Sequence, residues 1–246
     1  MTNSEKISVI IPTYNEEKNI KNTLEATSEV FDGLNYDFEL IVVDDGSKDK
    51  TYNTVKKYIK ENEKVKNKIK IKRYEKNTGK GFALKYGTNF ATGNYILFLD
   101  ADLDLHPSNI KNFLDTLKSK KADAVTGSKR NGNALSAYPK IRKILSIFYY
   151  NLIKCLFRLP VRDTQTGFKL FKSKALKDTI SGTTIKRFAF DLELIVILNK
   201  KGYKITECPI KIKPKGEHGR ISIGNVFKVF FDTILIFYRL YPGRQY

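Results

Sequence analysis

The chain has 246 residues, with 45 Lys and Arg against 26 Asp and Glu, a formal net charge of +19. That length suits one large α/β domain or two small ones, and the charge points to an anionic partner: nucleic acid, an anionic membrane surface or a phosphorylated substrate. Cys155 and Cys208 are too few for a disulfide framework and lack metal-ligand spacing, so both are expected as inert core thiols, consistent with a reducing compartment.

Residues 1–6 are polar and run straight into the apolar Ile7-Ser8-Val9-Ile10-Ile11, so no signal peptide is expected and a buried strand ends at Pro12. Apolar spacing predicts a helix over 15–30, with Glu16 and Glu17 in its first turn, where acids favour the dipole. A strand over 38–43 stops at Asp44-Asp45-Gly46-Ser47. A helix over 51–59, a strand over 70–74 and a helix over 81–90 follow. Tyr95-Ile96-Leu97-Phe98-Leu99 is then a strand leading into Asp100-Ala101-Asp102-Leu103-Asp104. Pro107 opens a helix over 108–117, and 122–126 is the next strand. His106, before that proline, reads as loop structure.

Past Thr126 the character changes. Residues 138–160 predict a long helix with Lys140, Lys143, Asn151, Lys154 and Arg158 on one face, and 226–241 a helix that is apolar nearly all round. Neither reaches about 18 uninterrupted apolar residues, so no transmembrane helix is expected. Strands alternating with helices predict an α/β fold, a mostly parallel sheet with helices on both faces. Ligands of such sheets bind beyond the carboxyl ends of the strands, where residues 12–16, 44–47 and 100–104 form polar clusters.

Asp100 and Asp102, two apart at a strand end, share a face. Carboxylates that close repel unless a cation lies between them, and Mg2+ or Mn2+ takes oxygens from carboxylates and substrate phosphates together. A solvated acidic turn, with Asp104 serving the next helix, is the plainer alternative. A carboxylate at 44–45 suits a base imide or ribose hydroxyls, although Asp-Gly-Ser is also ordinary turn chemistry. Tyr14 offers a ring for stacking and Glu16 an acceptor. Asn77-Thr78-Gly79-Lys80-Gly81 precedes a helix and combines close backbone approach with a point charge, without Walker A spacing.

Taken together, Ile10-Ile11-Pro12-Thr13-Tyr14-Asn15-Glu16, Val42-Val43-Asp44-Asp45-Gly46-Ser47, Asn77-Thr78-Gly79-Lys80-Gly81 and Asp100-Ala101-Asp102 resemble glycosyltransferase family 2. Gly127-Ser128-Lys129-Arg130 and Asp163-Thr164-Gln165-Thr166-Gly167-Phe168-Lys169 narrow the likeness to its dolichyl-phosphate mannose and glucose synthase group. Thr164-Gln165-Thr166, where relatives have Pro-Thr-Ser, leans away from the mannose synthases. The resemblance, from Ile7 to about Ser222, implies a GT-A fold. Its catalytic domain would span 1–222, a nucleotide and metal half over 1–127 and an acceptor half over 128–222, ahead of an amphipathic interfacial helix in 223–246.

It further implies metal-dependent, inverting transfer of a hexose from a UDP- or GDP-sugar to a polyprenyl phosphate. Pro12, Tyr14, Glu16, Val43 and Asp45 would contact the nucleoside, joined in the nucleotide site by Asp44, Gly79, Lys80, Asp100 and Ala101. Asp100, Asp102 and Asp104 would hold Mg2+ or Mn2+, Asp104 standing where relatives differ. Asp102, Asp163, Lys129 and Arg130 are the catalytic candidates, and Arg130, Arg162, Lys169 and Arg220 the acceptor-phosphate candidates. Asp163 either orients the basic loop or acts in catalysis itself. Asp191 and Glu193 are either cleft residues or plain helix-start acids. His218 lies in a basic loop and is a further phosphate candidate.

A phosphate acceptor, with a second pKa of about 6, needs cations more than a base. The basic and aromatic helices suit peripheral contact with the cytoplasmic face of a membrane; the alternatives are burial with a solvated basic edge or, for 226–241, burial in a homo-oligomer. A transferase acting on a glycan hydroxyl is the nearest competing reading. A nucleotidyltransferase lacks its Gly-rich loop here, and paired acids at the presumed cleft oppose nucleic acid.

Overall fold

Alternation along the strands sorts the core into two layers. Ile7, Val9 and Ile11 of β1 (Lys6–Thr13) face one side of the sheet and Ile10 the other. In a computed structural model, residues 5–34, 36–128, 140–187, 189–210 and 223–241 are described, 140–147 and 223–227 by backbone alone. Their seven strands form one sheet in the order β3-β2-β1-β4-β6-β5-β7. β1 is parallel to both β2 (Asp37–Asp45) and β4 (Tyr95–Phe98), β2 to β3 (Ile69–Tyr74), and β5 (Ala124–Ser128) to β7 (Ile205–Pro209). β6 (Lys169–Lys172) runs antiparallel between β4 and β5, so the mostly parallel expectation holds.

One face is covered by α1 (Ile20–Asp32), α2 (Thr51–Glu61) and α4 (Ile110–Ser119), which bury Leu24, Phe31, Val55, Phe113 and Leu117. The other is covered by α3 (Lys80–Thr88), α6 (Ser173–Ile180) and α7 (Phe190–Lys200), through Leu84, Leu176, Phe190, Leu194 and Leu198. Each such side chain contributes roughly 1.5–3 kcal/mol of apolar burial. α5 (Lys140–Phe157) and α8 (Ile223–Leu240) form a third layer on α7, packing Ile153, Phe157, Val196, Ile236 and Leu240 together.

Several expectations change. The helix expected from residue 15 starts at Ile20, because Asn15 turns left-handed (φ 56°) and its neighbours are tied across to the loop after β2. Asn15 N donates to Ser47 Oγ (3.0 Å), Glu16 N to Thr51 Oγ1 (2.8 Å) and Glu17 N to Asp49 Oδ2 (3.1 Å). Glu16 and Glu17 therefore belong to a clasp between two strand-end loops, not to a helical turn. Cys208 is buried, but Cys155 is exposed on α5. α8 carries apolar side chains on both sides, as expected: Ile236 and Leu240 are buried beside Thr233, while Phe231, Leu235 and Tyr238 are exposed. On α5, Asn151, Lys154 and the following Arg158 are exposed beside an exposed Phe148. Among the described residues no helix is long and apolar enough to cross a membrane. His106 sits in a loop and accepts from Ser108 N at the head of a 3-10 turn.

One buried acid fastens the sheet at the end opposite the clasp. Glu39 of β2 accepts from Ser8 Oγ (2.7 Å), Thr92 N (2.8 Å) and Thr92 Oγ1 (2.7 Å), and pairs with Lys70 (2.8 Å). Burial opposes its charge, but these donors outweigh burial and hold the carboxyl down at about 2. Its contribution is therefore complete above the ordinary value near 4.5 and lost as pH falls toward 2. Glu39→Gln should lower unfolding free energy by about 2 kcal/mol near neutral pH, discounting for solvent at Lys70. Urea unfolding of both proteins should converge as pH approaches 2, where the native carboxyl is itself protonated.

Candidate active site

Three parallel strands end side by side and deliver their following residues to one cavity of about 220 Å3. β1 contributes Pro12, Thr13, Tyr14 and Glu16, β2 contributes Asp45, and the turn after β4 contributes Asp100, Ala101 and Asp102. Lys80, the first residue of α3, closes the fourth side. Most of the nucleotide-site expectations thus meet in one place. Thr13, which the sequence did not single out, joins them, its hydroxyl donating to Val43 O.

Two neighbours do not line it. Val43 is fully buried under α3 against Gly87, and Asp44 is fully buried on the opposite face from Asp45. Asp44 accepts from Ser47 N (3.0 Å) and pairs with Arg73 (3.3 Å), its register partner on β3. Of the adjacent acids, Asp45 alone reaches the cavity. It also builds the wall, accepting from Thr78 N (2.6 Å), Gly79 N (2.9 Å) and Asn77 Nδ2 (3.0 Å).

That wall departs from a phosphate-cradling loop. Gly81 N and Phe82 N at the start of α3 both donate to Lys186 O, at 2.9 and 3.3 Å, and Gly79 N is taken by Asp45. The anion-facing element is therefore the side chain of Lys80. Its ammonium lies 2.5 Å from Asp100 Oδ1. Burial works against the charge, yet Asp100, Asp191 and Asp102 outweigh it and hold Lys80 well above the ordinary lysine value.

Asp102 and Asp104 part company after the strand. Ala101 O is fixed by Thr23 Oγ1 (2.6 Å), and Leu103 then turns left-handed (φ 59°). Asp104 is left exposed and off the cavity, its backbone N–H donating to Asp102 Oδ1 (3.0 Å). Among the described residues no group of three or more His, Cys, Asp or Glu could hold a metal, so the expected three-Asp set is not assembled. Asp100 and Asp102 remain as an oxygen pair in one cavity, which fits a hard divalent cation completed by ligand oxygens.

The place of Asp100 is set by the segment from which Asp163 and Lys169 were expected to act. Gly167 lies so close to Asp100 that a Cβ would fall 1.8 Å from Oδ2. Two residues on, Lys169 is fully buried and bonds Asp191 Oδ1 (2.6 Å) and Thr166 O. An ammonium so enclosed is not available to an acceptor phosphate; Lys169 instead locks the 166–169 segment to α7. Asp191, in the first turn of α7, does not line the cavity, although its charge bears on Lys80. Glu193 is fully buried away from it, bonded to Thr184 N and Ile185 N and paired with Arg239. Asp163 does not line the cavity: its Oδ1 accepts from Gln165 N, and its N–H donates to Glu207 Oε1. Arg162 is exposed beside it and donates its N–H to the same Glu207 oxygen. Lys129, Arg130, His218 and Arg220 lie outside the described residues.

With fold and site in view, the chain's relations are clear. It matches glycosyl transferase family 2 over residues 8–180 and belongs to that family. It is 33% identical over 250 residues to dolichyl-phosphate beta-glucosyltransferase ALG5D of Trichomonas vaginalis, covering 95% of this chain and 74% of that one. It is 28% identical to glycosyltransferase AglD of Haloferax volcanii, covering 86% of this chain and 34% of that one. Glucosyl-3-phosphoglycerate synthase from Mycobacterium tuberculosis, solved with uridine diphosphate, shares the fold with a TM-score of 0.69 at 16% identity, over 95% and 79% of the two chains. The same synthase solved with Mn2+, UDP-glucose and phosphoglyceric acid gives a TM-score of 0.68 at 18% identity, over 95% and 79%. The fold is GT-A, and the chain is a glycosyltransferase of the dolichyl-phosphate glycosyltransferase-like group.

Breaking the Lys169–Asp191 pair from one side should be costly, because it strands a buried charge. Lys169→Met should destabilise by about 3–5 kcal/mol. Lys169→Met combined with Asp191→Leu should cost clearly less than the two single changes added, as a double-mutant cycle by chemical denaturation would measure.

Proposed function

We propose that the protein moves a hexose from a UDP- or GDP-sugar to a polyprenyl phosphate, inverting the anomeric centre with the help of Mg2+ or Mn2+. The observation that carries this reading is that Asp100 and Asp102 open into the same cavity as Tyr14 and Asp45, with Lys80 against Asp100. Support for the acceptor comes from ALG5D, named a dolichyl-phosphate glucosyltransferase. Support for a UDP-sugar, a divalent cation and a phosphate-bearing acceptor comes from the ligands of the mycobacterial synthase.

In this reading Tyr14, 41% exposed, stacks on the base. Glu16 and Asp45 offer acceptors to the nucleoside. Asp100 and Asp102 would hold the cation, which supplies Lewis-acid stabilisation of the departing diphosphate when bound. Lys80, kept protonated by the surrounding carboxylates, can turn from Asp100 to the diphosphate as negative charge accumulates there. A phosphate oxygen of the acceptor attacks the anomeric carbon while the bond to the diphosphate oxygen breaks, and the bonding pair leaves with the nucleoside diphosphate. A single displacement of this kind inverts the centre through an oxocarbenium-like transition state. The attacking phosphate is already ionised near neutral pH, so cations to hold it matter more than a base. Arg162, Lys129, Arg130 and Arg220 are the candidates for that task. The exposed aromatic and basic side of α5 and α8 would rest on the cytoplasmic face of the membrane that carries the acceptor.

Incubation with UDP- and GDP-sugars, Mg2+ or Mn2+ and a polyprenyl phosphate should give a lipid-linked sugar. Asp102→Ala should cut turnover at least about a hundredfold with an unchanged unfolding midpoint; near-normal turnover would remove the metal assignment. Gly167→Ala should also cost about a hundredfold, by driving the Asp100 carboxylate from its place. No product with any donor, from protein that binds nucleotide, would sink the acceptor.

A further inference from the structure

A larger cavity, about 570 Å3, lies on the far side of the loop that walls the first. Lys76 and Thr78 line it from that loop, Lys186 and Arg187 from the segment before α7, and Asp232 from α8. The wall is firmly built. Lys186 O receives the N–H groups of Gly81 and Phe82, while the buried Glu193 receives those of Thr184 and Ile185 and pairs with Arg239 of α8. Segment 184–187 is thereby held between α3 and α8.

The lining sets three cations against one carboxylate, and none of Lys76, Lys186 and Arg187 pairs with a described carboxylate. A concave surface of that kind attracts an anion. What adjoins it is apolar. Phe231, the neighbour of Asp232, is 68% exposed, and Leu235 (55%) and Tyr238 (64%) extend the same helical face at four- and seven-residue steps. An anion fitting both features carries its charge at one end and hydrocarbon at the other.

We propose that this cavity seats the phosphate head of an anionic membrane phospholipid, with the Phe231, Leu235 and Tyr238 face of α8 in the acyl layer. The inference rests on the reading that this side of the protein meets a membrane, and it names the contact. The attacking acceptor phosphate is a different group, because loop 77–80 stands between this cavity and Asp100. Asp232 marks the one unfavourable charge, which gives the assignment an unusual handle: its removal strengthens binding.

Vesicle flotation of the full chain tests this, with phosphatidylcholine alone and with phosphatidylcholine containing phosphatidylglycerol. Each basic residue near an anionic surface contributes about fivefold. Lys76→Glu with Lys186→Glu should therefore lose at least about tenfold in binding to the anionic vesicles. Asp232→Asn should gain about fivefold, which a damaged fold would not mimic. Transfer to a short-chain, water-soluble polyprenyl phosphate without vesicles should be unchanged in the Lys76→Glu, Lys186→Glu protein. Unchanged vesicle binding in that protein, or an Asp232→Asn variant that binds no better, overturns the proposal. So does a loss of vesicle-free transfer with vesicle binding intact, since the cavity would then hold the acceptor phosphate. If the wild-type chain makes no lipid-linked sugar with any donor, the acceptor reading fails while the flotation results still decide this one.

Discussion

Lys80 and Asp100 meet at 2.5 Å in a place where a chain of net charge +19 has gathered its acids. Asp45, Asp100 and Asp102 face one cavity, and Asp191 lies close enough to bear on Lys80. Carboxylates so crowded repel one another, and each is answered locally. Asp45 is bonded by the backbone of the loop before α3, Asp191 by the buried Lys169, Asp102 by the backbone N–H of Asp104, and Asp100 by Lys80. Lys80 is the cation among these that a ligand can take over. Lys169 is enclosed and its geometry is committed, whereas Lys80 stands at the mouth of a helix with part of its side chain in solvent. On the proposed reading, an incoming diphosphate with its cation would satisfy Asp100 and Lys80 in one exchange.

The precision of that arrangement comes from glycine and from buried pairs, more than from the acids themselves. Gly167 gives Asp100 its space, and Lys169 fixes where Gly167 lies by tying its segment to α7. Gly79, with φ 114°, sits where a Cβ would fall 2.5 Å from Lys186 O. Only a residue without a side chain lets the α3 loop and the 184–187 segment touch.

The strand ends were legible because β1, β2 and β4 are apolar runs broken abruptly by Pro or Asp, a period and a punctuation that need no tertiary information. What β-periodicity cannot supply is which of two adjacent acids faces the site. Asp44 and Asp45 are equivalent in sequence, and the pairing of Asp44 with Arg73 on β3 decides between them. β6 escaped for a related reason. Lys169 opens it and was expected to meet an acceptor phosphate, yet it is wholly buried because Asp191, over twenty positions away, meets it. The resemblance implied Asp104 as a third ligand, and the left-handed turn at Leu103 leaves it off the cavity. The early helix was misplaced because Glu16 and Glu17 look like first-turn acids, whereas their backbone is claimed by Thr51 and Asp49 across the site. Each miss is a contact distant in sequence overruling a local pattern.

The same reasoning bears on how the two cavities relate. They share loop 77–80, Asp45 holding it from the Asp100 side while Asn77 and Thr78 line the other. The loop's main-chain donors are bonded to Asp45 on one side, and those that open α3 to Lys186 O on the other. Moving this wall toward either cavity therefore breaks hydrogen bonds facing the other. Packing as tight as that at Gly79 and Gly81 transmits displacement instead of absorbing it. A ligand that shifts segment 184–187 would shift the start of α3, and with it Lys80.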